Sequence, residues 1–274
     1  MKNILIPTDF SEASRNAAKY GVSLARSFET SVILINVVAP AVIIDDSILA
    51  SVMVTQAEVV DENRKLMEQE IEALSKKYAV KVTGSVSEGY ASDIISELAK
   101  EKNAGLIVMG MKGRGKSNSV FGSTTNTVIR NSIYPVLVIP EEAVYKPAEY
   151  ITLASDFDLE IEMDRYAVLL ALAEKFNSQI NILNVQKKDS SMNQEKVIGK
   201  MQTSVAFSKH NHKFHSINEK DVEEGIHKFI EQNPTDVLAM VAHRHTLFER
   251  LFGKVHTRLM SYQTKIPLLV LQNK

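Results

Sequence analysis

The stretch Gly110–Ser117, GMKGRGKS, fits the phosphate-loop pattern G-x-x-x-x-G-K-[ST], with Gly110, Gly115, Lys116 and Ser117 in the required places. In such a loop, amides at a helix N-terminus wrap phosphates, the lysine reaches the outer phosphates and the serine holds Mg²⁺. The residues that follow, Asn118-Ser119-Val120-Phe121-Gly122, make a poor helix start. A loop of this type also needs an acidic Mg²⁺ ligand from another strand, and none is evident. A second reading uses two glycine clusters. Gly110 and Gly113 permit a tight turn and close backbone approach, and Gly122-Ser123-Thr124 supplies amides and hydroxyls at the start of a better helix. Asp9, just past the first apolar run, adds a carboxylate. A carboxylate and an anion-binding loop together suit a nucleotide.

The elements that must position these residues alternate between strand and helix. Expected strands are Ile4–Pro7, Val32–Val38, Val80–Ser87, Leu106–Gly110 and Pro135–Ile139. Expected helices are Ser11 to about Ser27, Glu58–Tyr78, Ser92–Lys102 and Thr124–Asn131. Residues 39–56 are apolar without a clear period and are left unassigned. Such alternation implies a parallel sheet covered on both faces. In the order 3-2-1-4-5, the first and fourth strands are neighbours, and Asp9 and the glycine loop face the crevice at their carboxyl ends.

The unit is written twice. Asn3–Val38 and Tyr150–Val185 each run from an apolar strand into Asp-Phe, through an amphipathic segment, to a strand ending in Asn-Val. Asp9 answers Asp156, Asn36 answers Asn184, and Tyr134-Pro-Val-Leu-Val-Ile answers Ile266-Pro-Leu-Leu-Val-Leu. A duplication of this kind sets the fold expectation. It is an α/β protein of two tandem, doubly wound, parallel five-stranded sheets, Rossmann-like, in the order 3-2-1-4-5. The domains expected are 1–143 and 144–274, meeting in the polar EEAVYKP stretch. In the second unit, strands are expected at 151–155, 180–185, 212–216, 237–242 and 267–271, with a polar loop within 187–200.

The 274 residues suffice for two such domains. With 32 basic and 33 acidic residues, the chain has no positive excess for a nucleic-acid backbone. It has no cysteine, hence no disulfide or thiolate metal site, and no apolar run of membrane-spanning length. The start, MKNILIPTDFSEAS, reads as a buried strand and not as a signal peptide. The expected location is cytoplasmic.

Together these motifs resemble the universal stress protein family. They are Ile-Pro-Thr-Asp-Phe-Ser near the start, Leu-Ile-Asn-Val at the second strand end, Ile-Val-Met-Gly-x-x-Gly…Gly-Ser, and Pro-Val-Leu-Val-Ile. The resemblance covers the first unit end to end and the second more weakly, so the chain looks like a tandem member. It implies ATP or a related adenine nucleotide as ligand, alone or with Mg²⁺. It implies an adenine contact at Asp9 and the Val37 backbone. Phosphate and ribose contacts would fall at Gly110, Gly113, Gly122, Ser123 and Thr124, with Met109 packing nearby. It also implies pairing through the last strand, here as an intrachain pseudo-dimer. One departure stands out. The family's motif is G-x2-G-x9-G-[ST], and this chain has eight residues, RGKSNSVF, between Gly113 and Gly122. The shorter loop moves the amides, and Arg114 and Lys116 are either compensating charges beside the phosphates or solvated loop residues.

The second unit reads MVAHRHTLFERLFGKVHTRLM where the glycine loop should be, with Ala242 and Arg244-His245 in place of the small residues. It is therefore expected to be a structural partner and not a second ATP site. All seven histidines, His210, His212, His215, His227, His243, His245 and His256, lie in this half. The His-x-His pairs admit a zinc reading if both side chains share a strand face, and a plain reading as surface residues. No carboxylate or cysteine cluster completes a metal site, and no serine in the first unit has a histidine to activate it. Three function classes follow: a nucleotide-dependent sensor or binding module, a slow ATPase using the Walker-like loop, and an interaction scaffold that binds no nucleotide. Further association into homo-oligomers is left open.

Overall fold

Apolar runs rich in Val, Ile and Leu become four strands of the first half, as their burial on both faces requires, and the partly exposed VTGSVSE run adds a fifth at the sheet edge. The strands are β1 (Ile4–Pro7), β2 (Val32–Val38), β3 (Val82–Glu88), β4 (Leu106–Gly110) and β5 (Val136–Ile139). Between them run α1 (Glu12–Ser27), α2 (Leu49–Tyr78), α3 (Ala91–Glu101) and α4 (Ser123–Asn131). The second half has β6 (Tyr150–Ala154), α5 (Ala167–Phe176), β7 (Gln179–Gln186), α6 (Gln194–Ala206), β8 (His212–Asn218), α7 (Val222–Gln232), β9 (Val237–Ala242) and β10 (Leu268–Gln272). A 3-10 turn at Met163–Tyr166 precedes α5. The structure, a computed structural model, describes residues 1–40, 49–112, 121–157, 163–186, 194–242 and 265–272, and the side chains of 49–54 and 195 lie outside that description.

The strands form one sheet in the order β3-β2-β1-β4-β5-β10-β9-β6-β7-β8. Each half is parallel in the order 3-2-1-4-5, as the duplication requires. The halves meet where β5 and β10 pair antiparallel, Val138 with Leu268, Leu137 with Leu269 and Val136 with Val270. The pseudo-dimer is thus a single continuous mixed sheet. Two apolar layers cover it. Ala17, Leu24, Met67, Leu74, Leu169 and Phe207 belong to one, from α1, α2, α5 and the end of α6. Ile95, Ala99, Val128, Ile129, Ile226 and Phe229 belong to the other, from α3, α4 and α7.

Polar contacts reinforce the joint. The Asn16 amide on α1 donates to the carbonyls of Pro140 (3.0 Å) and Ala143 (2.9 Å) in the connecting segment. Tyr145 meets Tyr20 edge to face at 5.1 Å and hydrogen-bonds Ser27 at 2.6 Å. From β10, Gln272 Nε2 donates to the Ile129 carbonyl in the last turn of α4, at 3.1 Å.

Two elements differ from the sequence expectation. Helix α2 begins at Leu49, not at Glu58, because the apolar stretch before Glu58 continues the helix without a charged face to mark it. Helix α6 begins at Gln194, inside the stretch expected to hold a loop. The rest of that expected loop, 187–193, lies outside the described residues.

Candidate functional site

The site is built at the carboxyl ends of β1, β2 and β4. The β1–β2 ladder pairs Ile4 with Val32 through Pro7 with Ile35, and the Thr8 amide adds one more bond to the Ile35 carbonyl at 2.8 Å. There it stops. The Thr8 carbonyl takes the Asn36 side-chain amide at 2.8 Å, and the Phe10 amide turns back to Thr8 Oγ1 at 3.1 Å. Among the described residues no backbone bond joins Val37 to the β1 side. Its main-chain groups on that side are left to other partners.

Phe10 makes this turn with φ of 59°, in the left-handed region that a side-chain-bearing residue rarely adopts. Burial of its ring holds it there. Asp9 sits between, and its Oδ1 accepts from the Ser11 amide at 3.1 Å and the Ser11 hydroxyl at 2.5 Å. The carboxylate therefore shapes the turn into α1 as well as bordering the crevice. Ser11 then caps α1, accepting from the Ser14 amide.

Strand β4 brings Met109, which is buried, and Gly110 to the same edge. A Cβ on Gly110 would lie 3.0 Å from the Ala13 carbonyl carbon and oxygen, so the strand end abuts the first turn of α1. The glycine loop leaves and returns at one point: the Met111 amide donates to Ile139 and the Gly122 amide to the Met111 carbonyl at 2.9 Å. Gly113, with the Walker-like residues that follow it, lies outside the described residues. Gly122 is the N-cap of α4 and offers no side-chain cap, while Thr125 Oγ1 ties the helix to the Gly110 carbonyl at 3.0 Å. The amides of the first turn, at Ser123 and Thr124, are thus left to solvent or to an anion at the positive end of the helix dipole. Ser123 and Thr124 are themselves exposed. The structure thus gathers Asp9, Val37, Met109, Gly110, Gly122, Ser123 and Thr124 along one edge of the sheet. Sequence reasoning missed the polar residues that hold this edge, Asn63 and Gln56 on α2: Asn63 sits on a largely charged helix and Gln56 in the unassigned apolar stretch before it, and neither carried a local signal.

The second half repeats the turn and alters the cradle. Phe157 has φ of 59°, its amide donates to Ser155 Oγ at 3.3 Å, and the Asn184 amide donates to the Ser155 carbonyl at 2.8 Å. Ile4 pairs with Leu106, and Ile151 with Val237, so Val241 holds the place of Gly110, one residue before the Ala242 that sequence alignment suggested. A 3-10 turn at Met163–Tyr166 leads into α5 at Ala167, and the stretch between Phe157 and Met163 lies outside the described residues. Asp156 lies close enough to Tyr166 to act on its hydroxyl. Burial pushes the Tyr166 hydroxyl up, Arg165 opposes this, and the Asp156 carboxylate adds to it.

In the histidine pair on the way into β8, His212 Nδ1 lies 3.0 Å from the His210 carbonyl. On β8, His215 packs against Phe229 of α7, at 4.8 Å, and its Nε2 lies 3.2 Å from Asn181 Oδ1. Among the described residues there is no group of three His, Cys, Asp or Glu placed to hold a metal, and no helix long and apolar enough to cross a membrane. His243, His245, His256 and Arg244 lie outside the described residues.

Comparison with known proteins matches this geometry to a family. The family described as the universal stress protein family matches residues 1–140. A universal stress protein of Methanocaldococcus jannaschii is 32% identical over 139 residues, covering 50% of this chain and 81% of that protein. One of Synechocystis is 34% identical over 140 residues, covering 51% of this chain and 85% of that protein. Over the whole length, the crystal structure of a universal stress protein from Archaeoglobus fulgidus has the same fold, with a TM-score of 0.70 at 17% identity, covering 99% of this chain and 98% of that one. With its motifs, its 3-2-1-4-5 sheets and this match over half its length, the chain belongs to the universal stress protein family.

Proposed function

We propose that residues 1–143 form a domain that binds ATP or a related adenine nucleotide. Residues 144–274 are a degenerate copy that serves as its built-in partner. The protein then acts in the cytoplasm as a stress-response sensor or binding module whose state depends on nucleotide occupancy. The observation that carries this reading is the contrast between the two halves. In the first, Gly110 meets the start of α1, and α4 opens with an uncapped glycine above it. In the second, Val241 holds the place of Gly110.

Each residue then has a role. The open Val37 backbone and Asp9 take the base and its donors. At the end of α4 opened by Gly122, the Ser123 and Thr124 amides and hydroxyls take the phosphates together with the helix dipole, and Gly122 leaves room for their approach. Gly110 and Gly113 let the ligand approach the chain, and Met109 packs beneath. Mg²⁺, when bound, supplies charge neutralisation between phosphate oxygens, and no residue here is assigned a catalytic role. The shorter loop between Gly113 and Gly122 favours one competing reading, a scaffold that binds no nucleotide.

Denaturing the purified protein and identifying the released small molecules by chromatography and mass spectrometry tests this directly. An adenine nucleotide near one per chain is expected. A preparation free of nucleotide, which also takes up none from millimolar ATP, would establish the scaffold reading.

A further inference from the structure

Two side chains on α2 hold the strand end that the proposed site uses for the base. Gln56 and Asn63 are seven residues apart, so they share one helix face. Asn63 Nδ2 donates to Asn36 Oδ1 at 3.0 Å, and Asn36 Nδ2 passes the link on to the Thr8 carbonyl at 2.8 Å. One helical stretch earlier, Gln56 Nε2 donates to the Ala39 carbonyl at 3.1 Å and to Glu88 Oε2 at 3.2 Å. The two tethers fall at residues 36 and 39, on either side of Val37. Between them lies the backbone that no residue of β1 engages.

The second half supplies an internal comparison. Asn184 makes the same bond to the Ser155 carbonyl, at 2.8 Å, yet its Oδ1 is buried without a partner. Among the described residues, the strand turn therefore forms without a donor to that oxygen. That half tolerates an orphaned acceptor, a feature that costs stability. The donor in the first half is then an addition to the fold, placed beside the Val37 strand end.

We propose that Asn63 and Gln56 are positioning residues that fix the Val37 main chain at the height and angle needed to read the edge of a purine base. The inference rests on the nucleotide reading above and adds to it the origin of base selectivity. The base is read by backbone groups. A backbone edge discriminates only if it is held still, because a strand end free to shift can satisfy more than one donor–acceptor pattern. Glu88 completes the outer tether from β3, so α2, β2 and β3 are locked together at this edge.

The test is a calorimetric comparison of ATP, GTP and inorganic tripolyphosphate binding to the full-length protein and to Asn63→Ala, Gln56→Ala and the double variant. ATP affinity is expected to fall about fivefold for each tether lost. The ATP-to-GTP preference should shrink with it, while tripolyphosphate, which reaches only the α4 end, binds as in the parent. Equal losses for ATP and tripolyphosphate would mean general loosening and overturn the inference, as would unchanged ATP affinity and preference. If the parent binds ATP and Asn63→Ala does not fold, Gln56→Ala, whose bonds are solvent-exposed, carries the same comparison. If the parent binds neither nucleotide, the underlying reading fails and this inference with it.

Discussion

Gly110 and Val241 hold the same place in the two halves. At Gly110 the first turn of α1 comes so close that a methyl group would meet the Ala13 backbone at 3.0 Å. Backbone yields less readily than the end of a flexible side chain. Gly110→Ala is therefore expected to destabilise the protein by about 1–3 kcal/mol, read as a shift in the urea midpoint. An unchanged midpoint would mean that α1 and β4 separate easily. The repeated residues were legible in the sequence: Asp9 with Asp156 and Asn36 with Asn184 fall at equal places in both turns, each asparagine bonded to a strand-end carbonyl at 2.8 Å. What was not legible is that Asp9 spends one oxygen on Ser11, and that Phe10 and Phe157 both turn in the left-handed region. A sequence carries no mark of a positive φ at phenylalanine; only the burial of the ring, a tertiary property, holds it there.

Among the elements, α2 carries the most unexpected content. Its face toward α1 includes Glu70, with a side chain only 10% exposed and Arg15 Nε at 3.9 Å. Burial raises the Glu70 carboxyl above its ordinary 4.5, more than Arg15 and Lys19 lower it. An acid raised in this way binds its proton more tightly in the folded state than in the unfolded one. Stability then falls as pH climbs from 4.5 through the folded value, and the penalty is fully present above it. Glu70→Gln should be more stable than the parent at pH 7, with the difference closing below pH 4.5. Urea melts at the two pH values check this, and a less stable variant at pH 7 would show that the attraction of Arg15 and Lys19 outweighs burial. The strands were readable within about two residues at either end, since buried β-branched runs leave little choice. The start of α2 at Leu49 was not, because its first turns are apolar all round and present no period to read.

At the scale of the whole molecule, the duplication becomes one ten-stranded sheet joined at β5 and β10. Residues 136–139 of β5 are almost wholly buried at that joint. A chain cut after residue 143 leaves the apolar β5 edge open and is expected to pair with a second copy through it. Sedimentation would show a dimer, and a stable monomer would mean that the joint is not the main driver of association. The pairing of last strands was expected through the family resemblance; the bond from Gln272 to the end of α4 was not legible, since it joins residues far apart in the chain. Through that bond the second half touches the carboxyl end of the helix whose amino end faces the proposed phosphates. The most direct test of the account is therefore made at that amino end. ATP is titrated by calorimetry into the parent protein and into Ser123→Asp. An aspartate there complements the helix dipole and leaves stability unchanged or raised by about 0.5 kcal/mol, while it places a negative charge against the phosphates. The account predicts saturable ATP binding by the parent and a loss of about tenfold or more in the variant. Equal ATP binding by both proteins, or none by the parent, would contradict it.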